Sequence, residues 1–128
     1  MSEKQNRDLV DIRRIEKPWG YELHWAKTDH YVGKVIHVKA GHALSLQYHE
    51  QKEETLLLWS GRLKFELRDG EKIRVWEMEP GENVHVRPKM IHRMTALEDS
   101  DIIEVSTTEL DDVIRLEDRY GREGTSEC

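Results

Sequence analysis

The chain has 128 residues, of which 37% are hydrophobic and 36% charged, and its formal net charge is −6. This length predicts one small domain with a single modest core, and the acidic balance argues against a nucleic-acid partner. No apolar run approaches the roughly 18 residues of a membrane span and no signal peptide is recognisable, so we expect no membrane association. The only cysteine, Cys128, cannot form an intrachain disulfide, which fits a cytoplasmic location.

The first third of the chain predicts an extension followed by two strands. Leu9, Ile12 and Ile15 recur at helical spacing, which favours a short amphipathic helix or turn within the extension, residues 1–15. A Pro-Trp-Gly loop follows, and we expect its Trp19 to be buried as a lid of the core. Strands are predicted from residue 21 to 25 and from 31 to 39, around a polar turn.

The remainder predicts further short strands separated by turns. Leu63, Phe65 and Leu67 alternate with charged residues, and the Asp69-Gly70 pair that follows is a strong hairpin signal. Strands are also indicated near residues 84–86, from residue 92 onward, and at residues 102–105 and 113–116. About nine or ten strands with almost no helix predict an all-β sandwich or barrel, and a jelly roll fits the length.

The stretch between Gly41 and Gly61 carries the main chemical signal. Gln47 and His49 are two residues apart, so they share one face of an extended strand. The polar run at residues 50–53 allows the chain to turn and return Glu54 beside them. An amide oxygen, an imidazole and a carboxylate together predict a first-row metal site.

A fourth ligand must come from elsewhere in the chain. His92 is the leading candidate, and His42 could substitute if Gln47 does not bind the metal. Structural roles are expected for the other histidines, which are His24, His30, His37 and His85.

The spacing of Gly41, Gln47, His49, Glu54 and Gly61 resembles the first cupin motif, with Gln in place of its first His. The phrase Leu-Ser-Leu-Gln-Tyr-His at residues 44–49 resembles the C-terminal isomerase domain of type II phosphomannose isomerases. The Pro-Trp-Gly segment and the closing segment at residues 111–122 also resemble that domain. The resemblance implies a cupin domain at residues 16–122 and a short tail at 123–128.

This family resemblance implies a metal-dependent isomerase that interconverts an aldose and a ketose through an enediol. It implies one divalent ion, with zinc favoured and nickel, manganese or iron as alternatives, held by Gln47, His49, Glu54 and His92. The chain resembles only the last domain of the bifunctional enzymes, so guanylyltransferase activity is not expected. Three positions depart from the family pattern: Thr55 replaces a His, Lys89 a Gly, and Ala96 an Asn.

A sugar phosphate as substrate would require cations near the metal. The candidates are Lys34, Lys52, Lys89, Arg93 and Arg115. The sequence does not identify the catalytic base. A catalytically silent cupin that binds a sugar or another small ligand, or an iron dioxygenase, therefore stays as an alternative function.

A homodimer is also expected. If Gln47 and His49 face the interior, then Leu44, Leu46 and Tyr48 face outward and need a cover. The cover would be a second copy or, alternatively, the segment from Leu9 to Ile15.

Overall fold

The computed structural model describes residue 9 and residues 11–125, which form twelve strands and no helix. The strands are β1 (Arg13–Lys17), β2 (Gly20–Lys27), β3 (Val32–Val38), β4 (Leu46–Tyr48), β5 (Glu54–Ser60), β6 (Leu63–Asp69), β7 (Lys72–Met78), β8 (Asn83–Val86), β9 (Ile91–Ala96), β10 (Ser100–Ser106), β11 (Ile114–Glu117) and β12 (Gly124–Thr125). Within this described part there is accordingly no helix long and apolar enough to cross a membrane.

The strands form two six-stranded antiparallel sheets. The first has the order β1-β2-β3-β10-β5-β8 and the second β12-β11-β4-β9-β6-β7. This architecture confirms the predicted all-β jelly roll. Since many neighbouring strands are distant in sequence, the sheets bring remote residues together: Gln47 on β4 lies opposite both His92 on β9 and Arg115 on β11.

Alternation of apolar and polar residues places the core between the sheets. Leu63, Phe65 and Leu67 on β6 are almost fully buried, as are Val86 on β8 and Ile102 on β10. The Asp-Gly signal is confirmed too, since β6 pairs with β7 through the tight turn that follows Asp69.

The N-terminal segment differs from its sequence prediction. Residues 13–17 form β1 rather than a helix, because β1 pairs along its whole length with β2. Long-range pairing of this kind outweighs a helical spacing defined by only three apolar residues. The proposed boundary between residues 15 and 16 falls within β1, whereas residues 1–8, residue 10 and Cys128 lie outside the described residues.

Two residues predicted to form the dimer contact do not face outward. Leu46 is only 1% exposed within a single chain, and Leu44 packs against the core, so neither needs a second copy as cover. The alternative cover is also wrong for the described residues, since Leu9 and Ile12 are exposed.

A different apolar surface lies on the outer face of the first sheet. Leu23, Val35, Ile103 and Leu57 lie directly opposite one another on β2, β3, β10 and β5, and we call them the outer apolar row. The homodimer stays a prediction, now with this row as its candidate contact.

Candidate metal and anion site

The site is a cavity between the two sheets. It opens to solvent, and polar and charged side chains from both sheets line it. All four predicted metal ligands line this cavity: Gln47, His49, Glu54 and His92.

The two histidines are fixed by hydrogen bonds to backbone carbonyls. His49 Nδ1 donates to the carbonyl oxygen of Asp112 at 2.5 Å, and His92 Nδ1 donates to that of Met90 at 3.0 Å. Because a carbonyl only accepts, each neutral ring carries its proton on Nδ1 and presents an Nε2 lone pair. Both Nε2 atoms face Glu54, so the site offers two imidazole donors beside a carboxylate.

Glu54, the first residue of β5, completes this group. Its Oε1 lies 3.5 Å from His49 Nε2 and 3.2 Å from His92 Nε2, and all three side chains are buried. Ligand atoms of the three residues lie within 4.8 Å of one another. Buried His49 Nε2 makes no hydrogen bond within the described chain, so a lone pair points at a carboxylate oxygen with no proton between them. The donor set therefore fits a divalent metal ion.

Gln47 lies beside this group but is already engaged. Its Oε1 accepts a hydrogen bond from Ser45 Oγ at 2.6 Å, and its backbone pairs with that of His92. An amide oxygen has two lone pairs, so this contact leaves a lone pair for a metal. Gln47 stays a predicted ligand.

Lys52 lines the cavity and belongs to a buried charge network. Its Nζ lies 3.1 Å from both Glu54 Oε2 and Glu104 Oε2. Burial disfavours ionised Glu54, but the Lys52 charge holds the pKa of Glu54 well below its usual range. Burial, together with the Glu54 charge, raises the pKa of Glu104 despite Lys52.

Sequence reasoning missed Glu104, although a signal for it exists. Glu104 lies two residues from the buried Ile102 on the apolar strand β10, so strand alternation points its carboxylate inward. A charge at an inward position of an apolar strand is unusual and could have been flagged.

Lys34 lies on the cavity wall in a second ion pair. Its Nζ lies 3.3 Å from Glu22 Oε1, which also lies 2.9 Å from His24 Nε2. Burial opposes ionisation of Glu22, but the hydrogen bond from His24 and the Lys34 charge lower its pKa to about 2. Lys34 thus lines the cavity, as predicted, beside a carboxylate that the sequence analysis did not identify.

The two predicted arginines also line the cavity, Arg93 from β9 and Arg115 from β11. Arg93 Nη2 is 3.5 Å from Glu66 Oε1, and Arg115 is buried. Lys17 and Arg122 line the cavity as well, and neither was predicted.

Lys89 does not lie at the site where the sequence analysis placed it. It is exposed in the turn before β9 and is not part of the cavity wall. Its φ of 70° is the left-handed conformation that glycine adopts most readily, which explains the glycine of the family pattern. Its backbone N–H donates to the carbonyl oxygen of His49 at 2.6 Å, so the position acts through its backbone.

The other two departures do not alter the metal group. Thr55 follows Glu54 on β5 and therefore faces the opposite side of the sheet, where it pairs with His85. Ala96 is buried in the core at the end of β9.

The amino-acid sequence is similar to those of known enzymes. A mannose-1-phosphate guanylyltransferase of Escherichia coli K12 is 34% identical over 118 residues, which cover 86% of this chain and 23% of that protein. A mannose-1-phosphate guanylyltransferase of Salmonella typhimurium is 31% identical over 118 residues, with the same coverage. The chain thus spans about a quarter of the length of these relatives.

Solved structures share the fold at low sequence identity. Oxalate decarboxylase of Bacillus subtilis superposes with a TM-score of 0.74 at 15% identity, covering 83% of this chain and 30% of that one. KdgF of Halomonas superposes with a TM-score of 0.65 at 20% identity, covering 77% and 88%. Residues 4–118 match the family described as mannose-6-phosphate isomerase C-terminal. The chain therefore belongs to this family.

Proposed function

We propose that the protein is a metal-dependent isomerase of a phosphorylated sugar, interconverting mannose 6-phosphate and fructose 6-phosphate or a close analogue. One observation carries this proposal: the His49–Glu54–His92 group opens into a cavity with an excess of cationic side chains. Six cations line it against three carboxylates, although the whole chain has a net charge of −6. The cations are Lys17, Lys34, Lys52, Arg93, Arg115 and Arg122.

Each group of residues would have a separate task. His49, Glu54 and His92, with Gln47, would hold the metal ion. When bound, a divalent metal polarises a carbonyl and stabilises negative charge that develops on its oxygen. Arg93 and the other cations would bind the phosphate, since guanidinium groups match its geometry.

The walls of the cavity would also limit water around the sugar. Trp19 is 2% exposed and lines the cavity together with the apolar side chains of Ile36 and Met94. Such a wall lowers the local dielectric and strengthens the interaction of the cations with an anionic ligand.

The metal site can be tested apart from the reaction. We expect the purified protein to bind one divalent ion per chain, and the His49→Ala/His92→Ala variant to lose it together with the thermal stability that the metal confers. His30 and His85, which are both exposed and do not line the cavity, provide a matched double-alanine control. Full metal occupancy in the His49→Ala/His92→Ala variant, measured by elemental analysis, would refute the ligand assignment.

The reaction is tested by exchange of the proton at C2 of the phosphosugar with solvent deuterium. We expect exchange in metal-loaded protein and a loss of at least about 100-fold after chelation or in Glu54→Gln, since the metal supplies several kcal/mol of charge stabilisation. Glu53→Gln is the matched control, because Glu53 is exposed and precedes the metal group.

The alternatives give different results in the same samples. In one outcome, mannose 6-phosphate stabilises the protein thermally, and yet the protein catalyses no proton exchange with any hexose or pentose phosphate. That result would indicate the catalytically silent binding protein. Oxygen consumption with iron would indicate the dioxygenase.

A further inference from the structure

The loop between two proposed metal ligands is held by a distant part of the chain. Residues 50–53 connect His49 to Glu54, and their four consecutive backbone N–H groups all donate to side chains more than 50 residues away. Such a loop has no ladder partner of its own, so its conformation depends on these acceptors.

One carboxylate accepts three of the four bonds. Asp112 Oδ1 accepts from Glu50 N at 3.0 Å, and Asp112 Oδ2 accepts from Gln51 N at 2.7 Å and Lys52 N at 2.9 Å. Thr107 Oγ1 accepts the fourth, from Glu53 N at 3.0 Å. Bonds from N–H groups to an ionised carboxylate are stronger than neutral ones, so Asp112 dominates this set.

The same residue also orients a ligand ring. The backbone carbonyl of Asp112 accepts the His49 Nδ1–H, the contact that leaves Nε2 available toward Glu54. Asp112 therefore fixes both the loop that sets the spacing of His49 and Glu54 and the tautomer of His49.

We infer that Asp112 is a positioning residue that preorganises the metal group from the C-terminal segment of the chain. This inference rests on the proposed metal site and deepens it. Without the carboxylate, three N–H groups must find water or other partners, and the loop can move relative to Asp112. Loss of a partner that orients a ligand typically lowers metal affinity 10–100-fold.

The experiment compares Asp112→Ala and Asp112→Asn with the wild type. Asp111→Asn removes the same charge one position away and is the matched control. Zn²⁺ affinity is measured by calorimetry against a competing chelator, and the His49 tautomer is read from ¹⁵N–¹H correlation spectra of metal-free protein. We expect 10–100-fold weaker Zn²⁺ binding in Asp112→Ala, a smaller loss in Asp112→Asn, and less than about 3-fold change in Asp111→Asn.

The tautomer spectrum separates positioning from a general loss of structure. We expect His49 to be protonated on Nδ1 in the wild type and to show mixed tautomers in Asp112→Ala, while His92, held by Met90, keeps its tautomer. Unchanged Zn²⁺ affinity together with an unchanged His49 tautomer in Asp112→Ala would overturn the inference. If Asp112→Ala does not fold, the same two readouts on Asp112→Asn decide.

Failure of the metal site itself gives a different outcome. If wild-type protein does not bind Zn²⁺ but Asp112→Ala still disturbs the His49 tautomer, the proposed metal function fails and the role of Asp112 in orienting His49 stands. If the wild type binds Zn²⁺ and Asp112→Ala binds it equally well with the tautomer retained, the proposed metal site stands and the positioning role of Asp112 fails.

Discussion

Replacing Glu22 by Gln should remove a pH-dependent contribution to the free energy of unfolding. The Glu22 carboxylate is buried at the cavity wall, beside His24 Nε2 at 2.9 Å and Lys34 Nζ at 3.3 Å. Burial opposes its ionisation, but His24 and Lys34 together lower the pKa of Glu22 from 4.5 to about 2. One pKa unit corresponds to about 1.4 kcal/mol, so the ionised carboxylate contributes about 3 kcal/mol.

The sign follows from the direction of the pKa change. The folded state holds its proton less tightly than the unfolded state, so the contribution of Glu22 is fully present above pH 4.5. It is lost as the pH falls from 4.5 through about 2, and about 2 kcal/mol of it should be lost by pH 3.

The assay is urea unfolding of wild type and Glu22→Gln at several pH values between 7 and 3. We expect the difference in free energy of unfolding between them to be constant from pH 7 to 5 and to shrink by about 2 kcal/mol at pH 3. Glu16→Gln, on the exposed side of β1, should show no comparable trend. A wild-type to Glu22→Gln difference that stays constant down to pH 3 would refute the reasoning.

Three further predictions concern the turns and the outer surface. Lys89→Gly should raise the free energy of unfolding by up to about 1 kcal/mol by relieving its φ of 70°, whereas Lys89→Ala keeps the strain; equal urea midpoints for both variants would contradict this. Gly61→Ala should lower the free energy of unfolding by at least about 2 kcal/mol more than Gly81→Ala does. Both glycines have a similar positive φ, but only a Cβ at Gly61 would collide with a neighbouring carbonyl oxygen, and equal melting temperatures would exclude this clash. Light scattering of the wild type should give twice the 15.2 kDa chain mass, and a wild-type monomer would rule out the dimer. Leu57→Arg in the outer apolar row should halve the measured mass, whereas Ile73→Arg on the other sheet should not.

The spacing of residues along the chain predicted an all-β fold and the grouping of Gln47, His49 and Glu54. Alternation placed Leu63, Phe65 and Leu67 inside, and the same rule put Gln47 and His49 on one face. These features are local, because a strand with one buried face has a period of two whatever it pairs with.

Only the tertiary structure showed which distant groups meet at the site. Glu104 reaches Lys52 because β10 pairs with β5, and Asp112 reaches the loop after His49 because β11 pairs with β4. Long-range strand pairing is not encoded in the spacing of either partner, so neither contact could be read from the chain.

Tertiary structure also overrode two predictions made from local sequence. Three apolar residues at helical spacing formed no helix, since backbone pairing with β2 satisfied residues 13–17 as a strand. Lys89 is a predicted cation of the site, yet its backbone occupies the left-handed turn and its side chain lies in solvent. The sequence thus determined which residues of a regular strand such as β6 face inward, whereas strand pairing determined what each inward residue contacts.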